Sequence, residues 1–418
     1  MGTVFSTIPS IEQHQDLPYS FQVYLKNFKT ESKISQEIIL SIESHLNRGD
    51  IQGAHSVIKE ALKNIDGIPL NIAVTGESGS GKSSFMNSLR GVGHEGKDAA
   101  PTGVEPTTMQ RTPYKHPNFP NVTIWDLPGI GISDFQSKAY LEEVKFGEYD
   151  FFIIVSATRF KKNDLDLAKV IKAMKKNFYF VRTKVDLDLQ NEQELRSATF
   201  EREQVLEEIR NKFLKEFQEN NIETQIFLIS NRDLSAFDFP ILMDTLLKDL
   251  PAQKRHMFML SLPNITEAAI DRKRDSLKQT IWLEAIKAGF LATFPMVGII
   301  KDNDVEKLKA SLHQYQVHFG VDDASLQSLA EDLQVPVEEL KAVIKSPYLF
   351  DTEKDQTIEE KLLKYLEILS SAAFTPLAAG LYFRKVFYLQ FHFLDIVTSD
   401  AKVLIKEAYS RKSDFPIV

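Results

Sequence analysis

Cysteine is absent from the chain of 418 residues. Its absence excludes disulfides, thiolate nucleophiles and sulfur-based zinc sites, and it is consistent with a reducing cytosol. The nine histidines never fall into H-E-x-x-H spacing, so a histidine-based metalloenzyme has no support. Long apolar runs are missing too. The two richest, Ile286 to Ile300 and Ile368 to Phe383, are broken by Pro295 and Pro376 and fall short of the roughly 20 apolar residues a membrane span requires. Buried bundle helices are expected there instead. Positive charge is not in excess: 50 Lys and Arg against 58 Asp and Glu leave a net charge of -8. That argues against nucleic acid as a partner, because phosphate backbones are bound by basic surfaces. No charged segment followed by an apolar one opens the chain, so no secretory signal is expected.

What is present organises itself around Gly76-Glu77-Ser78-Gly79-Ser80-Gly81-Lys82-Ser83. The stretch matches G-x-x-x-x-G-K-[ST] and lies between an apolar run, Leu70 to Thr75, and a helix-forming segment, Ser84 to Arg90. Glycines at 76, 79 and 81 let the backbone wrap a polyphosphate with its N–H groups inward, and the helix N-terminus adds partial positive charge. Lys82 is expected to reach the β- and γ-phosphates and the Ser83 hydroxyl to join the shell of a Mg²⁺ ion. Residues 76–84, from Gly76 to Ser84, form the expected cradle.

Three further motifs follow in order, each at the end of a β-rich run. Val122 to Trp125 leads into Asp126-Leu127-Pro128-Gly129, placing Asp126 to bind the metal through water and the Gly129 N–H to meet the γ-phosphate. Phe178 to Arg182 leads into Thr183-Lys184-Val185-Asp186. A carboxylate there accepts from guanine N1 and the 2-amino group, which adenine cannot offer, while the Lys184 stem lies along the base. Ile226 to Ile229 delivers Ser230-Asn231, a loop similar to the one that contacts the guanine carbonyl. GTP and GDP are thus the expected substrate and product.

Between cradle and Asp126, residues 91–121 are rich in Gly, Pro and Thr, and a first switch loop is expected around Pro101 to Thr108. Thr102, Thr107 and Thr108 are its candidates for meeting the nucleotide. Thr108 stands beside Ser83 and Asp126 as metal candidate, although spacing leaves the other two open. A phosphate on any of them would set like charges against the nucleotide and inactivate the protein. After Gly129, where Ras-type GTPases carry a water-orienting glutamine, stands Ile130, which cannot hydrogen-bond. Intrinsic hydrolysis is therefore expected to be slow, with help from Glu77, Glu105, Ser80 or a second molecule.

The alternation of strands and helices from about 69 to 250 predicts a doubly wound, mainly parallel sheet, an α/β P-loop GTPase domain. Helical periodicity dominates before it (Ile38, Ile39, Ile42; Ala54, Val57, Ile58, Ala61, Leu62) and after Pro251. The expected limits are 1–66 for an N-terminal helical segment, 67–252 for the GTPase domain and 253–418 for helices that pack with the first segment. Lys254-Arg255-His256 and Arg272-Lys273-Arg274 could meet anionic lipid, a solvated helix face being the plainer reading. The segment Phe383 to Leu394 interleaves aromatic and basic residues, fitting either a membrane surface or a core. Met1 to Ser6 fits M-G-x-x-x-[ST], the pattern for myristoylation of Gly2.

Taken together, the chain resembles the immunity-related GTPases, the interferon-inducible GTPases of vertebrate innate immunity, in the subgroup with an intact P-loop lysine. The resemblance rests on Ala73 to Ser83, Trp125 to Gly131, Tyr149 to Ile154, Phe178 to Asp186 and Ile281 to Ala285. It implies a helical domain built from both terminal segments and GTP-dependent self-assembly through the nucleotide face, which activates hydrolysis. Partners implied are intracellular membrane lipids and related family GTPases. Peripheral residence on endoplasmic reticulum or Golgi membranes and action at pathogen-containing vacuoles are implied as well. One departure is Pro106, where relatives commonly carry a glutamate. The alternative is a regulatory GTP-binding module that recruits or restrains partner proteins with little turnover.

Overall fold

The computed structural model describes residues 36–93, 96, 98–102, 110–128, 144–158, 160–291, 303–348 and 376–413. Predictions that fall on Gly2, Glu105, Thr107, Thr108 and Gly129 lie outside these residues.

Two amphipathic helices come first, α1 (Gln36–Asn47) and α2 (Ile51–Gly67). Gly49 turns the chain between them at φ +71°, and the Asp50 carboxylate accepts from the Gly53 N–H at 2.9 Å, supplying one of the orphan donors of α2 with a partner. Ile42, Ala54, Ile58, Ala61 and Leu62 are buried, as their helical spacing predicts.

A six-stranded sheet follows. Its strands are β1 (Leu70–Gly76), β2 (Thr112–Lys115), β3 (Val122–Asp126), β4 (Phe151–Ser156), β5 (Asn177–Arg182) and β6 (Ile226–Leu228). In space the order is β2-β3-β1-β4-β5-β6, with every pairing parallel except β2 against β3. Between the strands run α3 (Lys82–Arg90), α4 (Lys162–Ala173), α5 (Val185–Leu195) and α6 (Arg202–Glu219). Parallel strands covered by helices read as unbroken apolar runs, and all six residues of β4 are buried. Because β1, β3, β4, β5 and β6 run the same way, their carboxyl ends line one edge, where a doubly wound sheet binds ligands.

The Gly/Pro/Thr-rich stretch between cradle and Asp126 holds a strand that its composition conceals. β2 contains Pro113 and pairs only with β3, from Thr112 opposite Asp126 to Lys115 opposite Thr123. An edge strand tolerates the missing N–H of proline, and its alternating half-buried and exposed residues keep it short of a core pattern.

One large apolar cluster fills the unit around the sheet. Phe180, Phe213 and Phe217 interlock with Phe160 at centroid separations of 5.0 to 6.4 Å. Each fully buried phenylalanine contributes up to about 3 kcal/mol by removing its area from water.

The chain continues as α7 (Phe239–Asp249), α8 (Ala252–Ser261), α9 (Glu267–Leu291), α10 (Asn303–Phe319), α11 (Asp323–Leu333), α12 (Val337–Ala342) and α13 (Pro376–Ser413). The described residues divide between two compact units. One comprises residues up to 64, 273–326 and 337–404; the other, holding the sheet, comprises 65–272, 327–336 and 405 onward. In the helical unit Tyr315 of α10 hydrogen-bonds Gln390 of α13 at 3.4 Å, and Asp400 of α13 accepts from the Lys345 and Ser346 N–H groups at 3.0 and 2.6 Å. Phe393 and Leu394 are fully buried, which places that part of the aromatic segment in a core. No described helix is long and apolar enough to cross a membrane. Of the two apolar stretches, residues 292–300 and 368–375 lie outside the described chain.

The basic groups singled out above are engaged within the protein. Lys254 pairs with Asp150 at 2.5 Å, Arg255 donates to the Leu250 carbonyl at 3.1 Å, and His256 is buried. Arg272 pairs with Asp244, Arg274 with Asp395 at 2.5 Å, and Lys273 is buried. Arg272 and Arg274 keep half-exposed side chains, as a solvated helix face does, whereas Lys273 and His256 do not.

Candidate nucleotide site

The loop from Gly76 to Gly81 leaves the end of β1 and enters α3 directly at Lys82. Gly76 sits at φ +144°, and a Cβ built there would lie 2.0 Å from the Val155 carbonyl oxygen. Only glycine fits. Gly81 is also left-handed, at φ +86°, and faces Thr183 and Asn231. Lys82 folds back so that its Nζ donates to the Glu77 carbonyl at 3.0 Å. Burial lowers the pKa of its ammonium, while Asp126 and Glu77 oppose that shift. Asp126, at the end of β3, is buried.

Two later loops brace the cradle from the side. Thr183 Oγ1 donates to the Ser80 carbonyl at 2.6 Å, Lys184 Nζ to the Gly79 carbonyl at 2.9 Å, and Asn231 Nδ2 to the Gly81 carbonyl at 3.2 Å. The base-motif residues and the Ser230-Asn231 loop therefore converge on the P-loop, although in sequence they are 105 and 150 residues away from their partners. Ser230 is buried, its hydroxyl accepting from the Arg232 N–H at 3.1 Å. Ser83, Ser84 and Asp186 are half-buried; Ser78, Gly79, Thr102 and Lys184 are exposed.

The chain ahead of the expected first switch loop is tethered. Asn87 of α3 is fully buried, and its amide both donates to the Ala100 carbonyl (3.0 Å) and accepts from the Ala100 N–H (2.7 Å). Beyond the loop, the Arg111 guanidinium lies 4.5 Å from the Trp125 ring centre and pairs with Glu148 at 2.7 Å.

Glu77, Lys161 and Asp164 form a charged group beside the cradle. The Glu77 carboxylate pairs with Lys161, just ahead of α4. Asp164, in the first turn of α4, is buried; desolvation, with the Glu77 charge adding to it, raises its carboxyl to about 7. Sequence reasoning marked Glu77 but missed its partners, because an ion pair across 84 residues leaves no local pattern.

The residues present fit a magnesium-bound polyphosphate. Ser80 Oγ is buried without a hydrogen-bond partner among the described residues, inside a loop closed to any Cβ at Gly76. No cluster of three acidic or imidazole side chains suited to a metal occurs among the described residues. A cation here would draw most of its shell from phosphate and water, as Mg²⁺ does, with a hydroxyl and a carboxylate to steer it.

Comparison with known proteins decides the family. The family described as "Interferon-inducible GTPase (IIGP)" matches residues 35–408. The chain belongs to it. The sequence is 52% identical to interferon-inducible GTPase 1 of Mus musculus, over 97% of this chain and 99% of that one. It is 53% identical to T-cell-specific guanine nucleotide triphosphate-binding protein 2 of Mus musculus, over 92% and 93%. Among solved structures, Aquifex aeolicus Era bound to GDP and AlF4⁻ is similar at a TM-score of 0.32 and 23% identity, covering 43% of this chain and 56% of that one. The interferon-inducible GTPase described here thus pairs a P-loop GTPase fold with a unit built from helices, and its family is one of GTP hydrolases.

Proposed function

We propose that this GTPase turns over GTP slowly as a single molecule and faster when copies associate through the nucleotide face. In that reading Lys82 stabilises charge on the transferring phosphoryl group, and Gly129 and one of Thr102, Thr107 and Thr108 sense the γ-phosphate. Asp186 selects guanine, with Ser230 and Asn231 closing over the base. Ser83, Asp126 and Thr108 would hold Mg²⁺, which when bound neutralises charge between the β- and γ-phosphates. The GTPase domain spans 67–252, and helices from 1–66 and 253–418 form its partner. Self-association in the GTP state would serve action on intracellular membranes, including those around pathogens, from a peripheral resting place on endoplasmic reticulum or Golgi, with myristate on Gly2 as anchor.

The observation that carries the reading is the Glu77–Lys161 pair beside a cradle whose water-orienting position is Ile130. Charged groups at the lip of a site without an internal water-orienting side chain are placed to be completed, or rearranged, by a second molecule.

The test is the initial rate of GTP hydrolysis per molecule, with Mg²⁺, across a hundredfold range of protein concentration, with light scattering recorded in parallel. A rising rate with scattering is expected. A constant low rate without scattering would overturn activation by association and favour a GTP-binding module that acts through other proteins.

A further inference from the structure

Two carboxylates stand in the first turn of α5, Asp186 and Asp188, and only one of them is free for a base. The difference is made by Arg182, the last residue of β5. Its side chain is 6% exposed, and it forms a salt bridge from Nη2 to Asp188 at 2.5 Å. Nη1 of the same guanidinium donates to the Thr183 carbonyl. Arg182 therefore bridges the residue before Lys184 and a residue four places after it. Lys184 itself is in the left-handed region at φ +60°, a strained conformation for a lysine, which persists only where its surroundings over-determine it. On the other side the Arg182 carbonyl accepts from the Ile229 N–H at 2.8 Å, joining the turn to the loop of Ser230 and Asn231. The carboxylate of Asp186, a half-buried residue, receives no hydrogen bond from the described residues.

We propose that the Arg182–Asp188 pair is the specificity-positioning device of the base site: it braces the Lys184 turn and occupies Asp188, so that Asp186 is the carboxylate presented to guanine. The inference rests on the reading of Asp186 as guanine acceptor. Stability alone does not account for the pair. Burial pulls the Arg182 guanidinium down and pushes the Asp188 carboxyl up, the nearby Asp186 charge adding to the latter, so desolvation works against their mutual attraction. Arg182 is buried and Asp188 half-buried, and desolvated pairs of that kind are often replaceable by apolar side chains without loss of fold. Its position at the base motif is the part that cannot be replaced.

The experiment measures Kd for GDP and for IDP, which lacks the 2-amino group, by displacement of a fluorescent GDP analogue from the full chain. The variants are Arg182→Met/Asp188→Leu, Asp188→Asn and Asp186→Asn, each with a thermal melt. The double variant is expected to melt at or above the wild-type temperature and yet lose about tenfold or more of the GDP-over-IDP ratio, because the unbraced turn misplaces the Asp186 carboxylate. A role in folding alone would leave that ratio intact in the folded fraction. An unchanged ratio in the folded double variant, with Asp186→Asn losing it, overturns the positioning role while sparing the base site. An unchanged ratio in Asp186→Asn overturns the reading beneath it. Where the double variant fails to fold, Asp188→Asn, which keeps shape but loses charge, decides: a reduced ratio supports the proposal and a wild-type ratio refutes it.

Discussion

Two lysines, one in each compact unit, show how differently the same burial is used. Lys82, in the unit of the sheet, is half-buried, and burial lowers its pKa; but Asp126 and Glu77 stand near enough to oppose that shift. Lys273, in the helical unit, is 2% exposed. Its Nζ donates to the His318 carbonyl at 3.1 Å, and burial alone pushes it down to about 7. A desolvated ammonium flanked by carboxylates in a glycine cradle stays charged and is ready for an anion. One without carboxylates can only become neutral or burden the fold. On the function proposed above the first belongs to binding and the second to stability, so their removal is expected to have opposite consequences.

The largest expected effect is therefore at Lys82. Lys82→Ala removes the ammonium that the loop itself carries and is expected to lower GTP turnover by about two to three orders of magnitude, the scale seen when a pre-placed donor to developing charge is lost. Steady-state hydrolysis measures it. GTP-dependent light scattering is expected to vanish in the same variant, while its melting temperature stays near that of the wild type. A variant that melted later than the wild type and kept its turnover would place Lys82 with Lys273 and erase the contrast.

Lys273→Met sharpens the contrast from the other side. The folded pKa near 7 lies below the usual lysine value near 10.4. Between those values the unfolded chain holds more protons at this site than the folded one, so the stability that depends on Lys273 is lowest at and below about pH 7 and rises toward pH 10. Methionine has a similar length and no charge. Its variant is expected to be more stable at neutral pH by a few kcal/mol and to lose the rise above pH 7. Chemical denaturation at pH 7 and pH 9, followed through the helical signal, checks both; GTP turnover is expected to remain unchanged.

These contrasts bear on what a linear sequence discloses. The cradle was legible because glycine, lysine and serine must occupy fixed offsets along one loop, and a side chain at Gly76 would meet the Val155 carbonyl. The strands were legible where both faces are buried, as in β4, and not at β2, where Pro113 and half-exposed residues carry no apolar signal. In sequence Lys273 belongs to a basic cluster with Arg272 and Arg274. It falls instead on the buried stripe of Ser276, Leu277 and Ile281, at i+3, i+4 and i+8, a spacing that outweighs the charge of its neighbours. Glu77 with Lys161, and Arg182 with Asp188, were not legible as pairs. Arg182 alone left a trace, as a cation ending an apolar strand, and a buried cation of that kind requires a partner.

The smallest effect expected is at Asp164, and it completes the comparison by inverting the sign. Its carboxyl is raised to about 7 by desolvation first and by the Glu77 charge second, against an unfolded value near 3.9. Between about pH 4 and pH 7 the folded protein holds more protons at this site than the unfolded chain, so stability falls as pH rises through that window and the penalty is complete above it. Lys273 carries its penalty in full below about pH 7, Asp164 above it, and the two units are thus strained on opposite sides of neutrality. Asn at 164 keeps an acceptor for the Lys161 N–H and the Ser156 hydroxyl but has no charge to bury. Asp164→Asn is expected to match the wild type near pH 4 and to exceed it by about 2 kcal/mol or more at pH 8. In a Trp282→Phe background Trp125 is the remaining indole, so its emission during denaturation reports the sheet unit alone. A difference that grew toward acid instead would mean that Asp164 is ionised in the folded protein and held by Lys161, and the opposed pH signatures of the two units would collapse into one.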